Sequence, residues 1–274
     1  MQSKQAAVFD PGVSIALDEA SLSFRYGADV FGPEPEMRSL SAIRPSLLDP
    51  QSTGPDPVYA ICMDVGRKRH AEELARRCLL FGMVAFADGC LGKEPVRSQG
   101  HVHARAPHSG WSPPELFEVW QGHAIVYMQE HSGDDPGRCF ASSAEPGEHV
   151  IVPPGWPHFV VNADPRERMV FGALCDRQYG FEYDEVRARR GLAWFPLWDG
   201  EAISWVENSA YQPSRLQRGR PREYSEFGVQ RDMSLYKQFE ADPDALQWVS
   251  EPVRMTAHWV AFNPLDTTDE IRRA

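Results

Sequence analysis

The sequence predicts an all-β chain, an antiparallel barrel of short strands with an N-terminal arm and a partly helical C-terminal extension. Three observations carry that prediction. From residue 79 onward, apolar runs of strand length alternate with Gly, Pro and Asp turns. His101 and His103 are separated by one residue, the spacing that sends two side chains to one face of a strand while Val102 points away. A carboxylate, Glu115, and a third imidazole, His158, follow on later strand-forming stretches. Three imidazoles and one carboxylate can then converge on an ion and leave positions open for substrate or water.

The elements follow in order. Residues 1–57 hold seven prolines and read as an irregular arm with a strand near residues 13–17. The barrel is expected over 58–195. Residues 58–63 form a first strand candidate, and 67–77, with alternating charge and Ala71, Leu74 and Ala75, a short exposed helix. Strands are expected at 79–87, at 96–103 with the ligand pair, at 116–128 as a pair turning near Gly122, and at 149–153, 159–162 and 169–175. The polar stretch 130–137 suits a hairpin loop. Residues 196–274 read as an extension that wraps the barrel or joins a dimer partner, a homodimer being the expected assembly. Within it, 233–239 resembles an amphipathic helical turn, and Asp242-Pro243-Asp244 is a helix-start signal. The arginines at 215, 218, 220 and 222 read as a solvated loop.

Composition narrows the function. The net charge of −11 argues against nucleic acid as the main partner. No apolar run approaches a membrane span, and Met1 to Gln5 does not open a secretory signal. Five cysteines without a C-x-x-C pair point to a reducing, cytoplasmic setting. No Gly-rich phosphate loop of a nucleotide site is present. Most of the eight tryptophans are expected in the core, and His108 in solvent. Glu118, three residues past Glu115, is expected on the other face of its strand.

The full spacing is more specific than the His-x-His pair. Gly100-His101-Val102-His103 is followed after eleven residues by Glu115 and after six more by Gly122. Gly147, Pro153, Gly155, His158 and Asn162 then fall at the intervals of the second cupin motif. The chain thus resembles a metal-binding cupin, a double-stranded β-helix or jelly-roll barrel. Over roughly residues 12–195 it is similar to the cupin-type phosphoglucose isomerases, the metal-dependent enzymes best known from archaea. Ser98-Gln99-Gly100-His101-Val102-His103 resembles that family's Thr-Lys-Gly-His-x-His, and Glu115-Leu116-Phe117 its Glu-Val-Tyr. Pro153-Pro154-Gly155-Trp156-Pro157-His158 with Asn162 resembles its Pro-Pro-x-Trp-Ala-His…Asn, and Gly180-Phe181-Glu182-Tyr183 its Gly-His-Asp-Tyr.

The resemblance implies His101, His103, Glu115 and His158 as ligands of one divalent ion (iron, manganese, zinc or nickel). It implies Tyr59, Ser98, Gly100 and Tyr183 in a sugar-phosphate pocket. The implied reaction interconverts glucose 6-phosphate and fructose 6-phosphate, a step of glycolysis and gluconeogenesis, with Glu115 as ligand or as proton-shuttling base. A hydride shift would need no base. Val84, Phe117, Cys175 and Phe181 stand where the family carries polar groups, and each loss removes a contact to a polar substrate. Another sugar, dioxygen chemistry, or sugar binding without turnover therefore remain alternatives.

Overall fold

The computed structural model describes residues 9–18 and 21–266. The expectation for Met1 to Gln5, and the last eight residues of the C-terminal extension, lie outside the described residues. The arm begins with a hairpin, β1 (Ile15–Asp18) and β2 (Ser23–Tyr26). Two short strands, β3 (Val30–Phe31) and β4 (Glu36–Arg38), then lie antiparallel on β5 (Tyr59–Arg67). Between β4 and β5, α1 (Leu40–Ile43) is capped by Ser39, whose side chain accepts from the Ala42 N–H. The charged stretch after β5 forms α2 (Ala71–Arg76), exposed or half-buried except for Leu74, which is fully buried.

The barrel strands are β6 (Leu79–Phe86), β7 (Cys90–Leu91), β8 (Glu94–Pro95), β9 (Val102–His103), β10 (Glu115–Gln121), β11 (Ala124–Gln129), β12 (Cys139–Ala144), β13 (His149–Val152), β14 (His158–Asn162) and β15 (Met169–Asp176). All but β7 and β8, which pair with each other, and β9 form two sheets. The larger runs β13-β10-β15-β6-β5-β3, with β4 also on β5. The smaller runs β14-β11-β12 and ends on a strand from the extension, β19 (Leu216–Gly219). Ahead of β19 come β16 (Phe181–Glu182), paired with β9, then α3 (Asp184–Ala188) and the β17 (Trp194–Trp198)–β18 (Ile203–Glu207) hairpin. After it come α4 (Leu235–Ala241) and α5 (Thr256–Trp259).

Period-two alternation sorts the residues of the larger sheet. Tyr59, Ile61 and Met63, Val84 and Phe86, Glu115 and Phe117, and Phe171 and Ala173 face the smaller sheet. Their neighbours Ala60, Cys62, Phe81, Met83, Leu116 and Leu174 face outward, where Phe227, Leu235, Tyr236, Phe239, Trp248 and Phe262 of the extension cover them. Both faces of β6 and β15 are therefore buried, and these strands read as continuous apolar runs. Each fully buried aromatic or leucine in that layer contributes roughly 1.5–3 kcal/mol. No helix of the described residues is long and apolar enough to cross a membrane.

Four local expectations change. The two strands meeting at Gly122 do not pair with each other: β10 belongs to the larger sheet and β11 to the smaller. Gly122 turns this corner at φ +73°, and a Cβ there would lie 2.6 Å from the Arg168 carbonyl oxygen. Residues 96–101 are not a continuous strand, because Gly100 sits at φ +90°; isolated bridges from Arg97 to Val161 and from His101 to His158 hold them. The basic segment is not a loop throughout, since β19 runs parallel to β12 and includes Arg218. Asp242-Pro243-Asp244 leads only into a 3-10 turn, Gln247–Val249.

The segment that carries the histidine pair is anchored by a buried ion pair. Arg97 is wholly buried; its Nε donates to Glu94 Oε2 at 2.6 Å, and its other nitrogens donate to the Ser98 and Ser46 carbonyls. Glu94 Oε1 accepts from the Leu48 N–H at 2.7 Å. Removing one member of such a pair leaves a buried charge uncompensated. Arg97→Met should therefore cost about 3–5 kcal/mol in urea unfolding, with Arg97→Met/Glu94→Leu recovering part of the loss. A single-variant cost below about 1 kcal/mol would assign the pair no anchoring role.

Candidate metal centre

The four candidate ligands arrive on three segments of backbone. His101 and His158 form a reciprocal bridge: the His101 N–H donates to the His158 carbonyl at 3.1 Å, and the His158 N–H to the His101 carbonyl at 3.0 Å. Gly100, in the left-handed region, lets the chain turn into that bridge. His103 lies on β9, and Glu115 opens β10 facing inward. One ligand atom from each of the four residues lies within 4.8 Å of the others. Glu115 Oε2 is 3.3 Å from His103 Nε2 and 3.2 Å from His158 Nε2.

The imidazoles are oriented from behind. His103 Nδ1 lies 2.9 Å from the Pro113 carbonyl and His158 Nδ1 3.0 Å from the Trp156 carbonyl. Each Nδ1–H donates there, so each Nε2 faces the common point. His101 Nε2 is buried with no protein partner. Glu115 Oε1 accepts from the Cys175 thiol, with Sγ at 3.1 Å. An orphaned imidazole nitrogen, two oriented ones and a carboxylate oxygen fit a cation of the kind that takes nitrogen and oxygen donors.

The electrostatics agree. Burial, reinforced by neighbouring His158 and His103, holds His101 well below the usual imidazole value. Burial alone would raise the Glu115 carboxyl, but hydrogen bonds from His103 and His158 outweigh it and hold the group well below the ordinary carboxylate range. Burial lowers His103 too, yet its bond to Glu115 wins and raises it. A proton on His103 and a cation therefore compete for one carboxylate.

The site opens on a cavity between the sheets. Tyr59, Ser98, Gly100 and Tyr183 line it with His101, Glu115 and His158, and so do Val84, Phe117 and Phe181, three of the positions that depart from the family pattern. Cys175, the fourth, touches Glu115 instead. No lysine or arginine lines it among the described residues, and Ile61, Met63, Phe86, Val160 and Phe171 make the walls apolar. Glu118 faces outward, where it accepts from His149 Nε2 at 3.0 Å, Trp120 Nε1 at 2.7 Å and the Leu235 N–H at the start of α4 at 2.7 Å. It has no part in the site.

Other residues are structural. Asn162 is buried and clamps the turn after β14, donating to the Ala87 and Glu167 carbonyls. Trp156 packs against Phe140 and does not line the cavity. His108 is not free in solvent; it lies 3.1 Å from Gln178 Oε1 and 3.0 Å from the Ser250 carbonyl, tying the ligand loop to the extension. The orienting carbonyls of Pro113 and Trp156 left no signal in the sequence, because a carbonyl has no residue type. The Cys175 contact could have been sought, since Cys175 stands where the resemblance expects a polar tyrosine.

A two-sheet β-barrel enclosing three imidazoles and a carboxylate is a cupin with the donor set for a metal ion. The family profile "Glucose-6-phosphate isomerase (GPI)" matches residues 42–214, and the chain belongs to that family. It is 26% identical over 134 residues to the glucose-6-phosphate isomerase of Thermococcus onnurineus, covering 49% of this chain and 65% of that one. It is 28% identical over 130 residues to that of Thermococcus gammatolerans, covering 47% and 63%. The match thus spans slightly under two thirds of these relatives. Among solved structures, a deletion mutant of the Bacillus subtilis oxalate decarboxylase is similar at a TM-score of 0.35 and 14% identity, over 56% of this chain and 30% of that one.

Substituting any donor should empty the site. His158→Ala and Glu115→Gln are expected to lose bound metal by elemental analysis while still unfolding in one transition. Cys175→Ala should weaken metal affinity by about tenfold. Retention should fall as pH drops and His103 takes a proton. Full metal content in His158→Ala would remove that residue from the donor set.

Proposed function

We propose that this protein is a metal-dependent glucose-6-phosphate isomerase interconverting glucose 6-phosphate and fructose 6-phosphate. The observation that carries the proposal is the meeting of His101, His103, Glu115 and His158 at one cavity in a chain of this family. His101, His103, Glu115 and His158 would hold one divalent ion (iron, manganese, zinc or nickel). When bound, the ion supplies Lewis-acid polarisation of the oxygens on the two carbons that exchange the carbonyl.

The remaining work falls to this chain's own groups. Tyr59, Ser98 and Tyr183 offer hydroxyls, and Gly100 a close backbone approach, to the phosphorylated end of the sugar. Ser98 Oγ accepts from the Val160 N–H at 3.0 Å, which leaves its own O–H to donate. Glu115 is the only carboxylate lining the cavity among the described residues. It would accept the proton from one carbon and return it to the next. The apolar walls keep competing water from the intermediate. Free cysteines at all five positions support a cytoplasmic setting. A homodimer, our expected assembly, is checked by sedimentation.

One observation favours a second reading. Ile61, Val84, Phe86, Phe117 and Phe171 form a wall better suited to a less hydroxylated substrate, with the same ion handling dioxygen. The test is a coupled assay of fructose 6-phosphate conversion by chelated and metal-restored protein, run beside an oxygen electrode with phenols. Turnover that is lost with chelator and restored with metal is the expected result. Oxygen uptake without isomerisation would replace the first reading with the second. In deuterium oxide the product should gain label if Glu115 carries the proton; unlabelled product would leave Glu115 a ligand alone.

A further inference from the structure

Gln99 lies between Ser98 and Gly100, lines the cavity and is 3% exposed. Its amide is oriented from one side. Arg187 Nη2, on α3, donates to Gln99 Oε1 at 3.3 Å. The flipped amide would set an NH2 group against a guanidinium that can only donate, so the oxygen must face Arg187. Nε2 is thereby turned away from Arg187, and it is buried with no partner. An unpaired buried donor is costly unless a ligand or water completes it. Arg187 is itself held by stacking, its guanidinium carbon 5.0 Å from the centre of the Tyr183 ring.

The groups around this amide share one character. Tyr59 lines the same cavity and carries a hydroxyl that can donate. Ser98 accepts from Val160 and keeps its proton to give. Arg38 keeps Nε buried without a partner, although its Nη2 is paired with exposed Glu36 at 2.7 Å. Its positive charge acts on both Tyr59 and Tyr183, opposed at each by Glu36. A cluster rich in donors, with positive charge just behind it, recognises an anion.

We propose that Gln99 is a specificity residue whose Nε2 donates to a phosphoryl oxygen of the substrate, with Arg187 as the positioning residue that fixes the amide through Oε1. This rests on the isomerase reading for its substrate but not for its chemistry, which asks only for a phosphoryl anion. It would give an anion a side-chain donor in a cavity that no lysine or arginine lines among the described residues.

The experiment measures KM and kcat for fructose 6-phosphate, and the dissociation constant of inorganic phosphate, on metal-loaded protein. Gln99→Leu should raise both KM and the phosphate constant about tenfold or more, with kcat much less affected. Arg187→Met should move both in the same direction by less, and Arg187→Lys should restore part of the loss. The Gln99→Leu/Arg187→Met double variant should be no worse than Gln99→Leu alone, since Arg187 acts through Gln99. Gln99→Glu, which still accepts from Arg187 but presents a negative oxygen, should fold and reject phosphate, so a misfolded leucine variant does not stop the test. Unchanged KM and phosphate binding in the folded Gln99 variants overturn the proposal while leaving the isomerase reading intact. Wild-type protein that binds phosphate through Gln99 but converts no sugar phosphate overturns the isomerase reading and keeps this one.

Discussion

The pair of backbone hydrogen bonds between His101 and His158 is the constraint on which the centre depends. It joins two ligands 57 positions apart in the chain into one small unit, at N···O distances of 3.1 and 3.0 Å. His101 could not hold its place by rotamer preference alone, because Gly100 leaves the preceding backbone free to hinge. With the bridge formed, the two rings meet edge to face at 4.4 Å, and only His103 and Glu115 have to be brought to them. The sheet register does that: Glu115 pairs with Val152 on β13, a few residues before His158.

Around that unit the fold separates polar from apolar work by strand face. Inward positions of β5, β6, β10 and β15 build the cavity, and outward positions carry the weight of the C-terminal layer. Glu115 and Glu118 show the division within one strand. The first is drawn into the metal centre, and the second fastens His149, Trp120 and the start of α4. Carboxylates three residues apart on a strand point to opposite faces, so one strand serves both chemistry and assembly.

Much of this was legible because spacing along a strand translates directly into shared faces. The His-x-His pair, the distant glutamate and the Gly-Pro-Gly-His-Asn intervals led to the four donors without any contact information. The strands at 79–87, 149–153 and 169–175 were equally plain, since buried strands are apolar without interruption. The corner at Gly122 was harder: a turn residue between two apolar runs reads alike whether the runs pair or part. The parallel strand β19 was obscured by Arg218 and the arginines flanking it, because an edge position tolerates charge.

The sequence by itself determined the all-β class through residue type and local spacing, and its resemblance to the family pointed to four candidate donors and to the positions where polar groups are missing. Only the tertiary structure decided what stands behind those donors: the carbonyls of Pro113 and Trp156, the Cys175 thiol on Glu115, and the Arg187 guanidinium that orients Gln99. These contacts join residues up to 88 positions apart or use backbone atoms common to every residue. Their identity depends on where the chain returns in space, which no local pattern encodes.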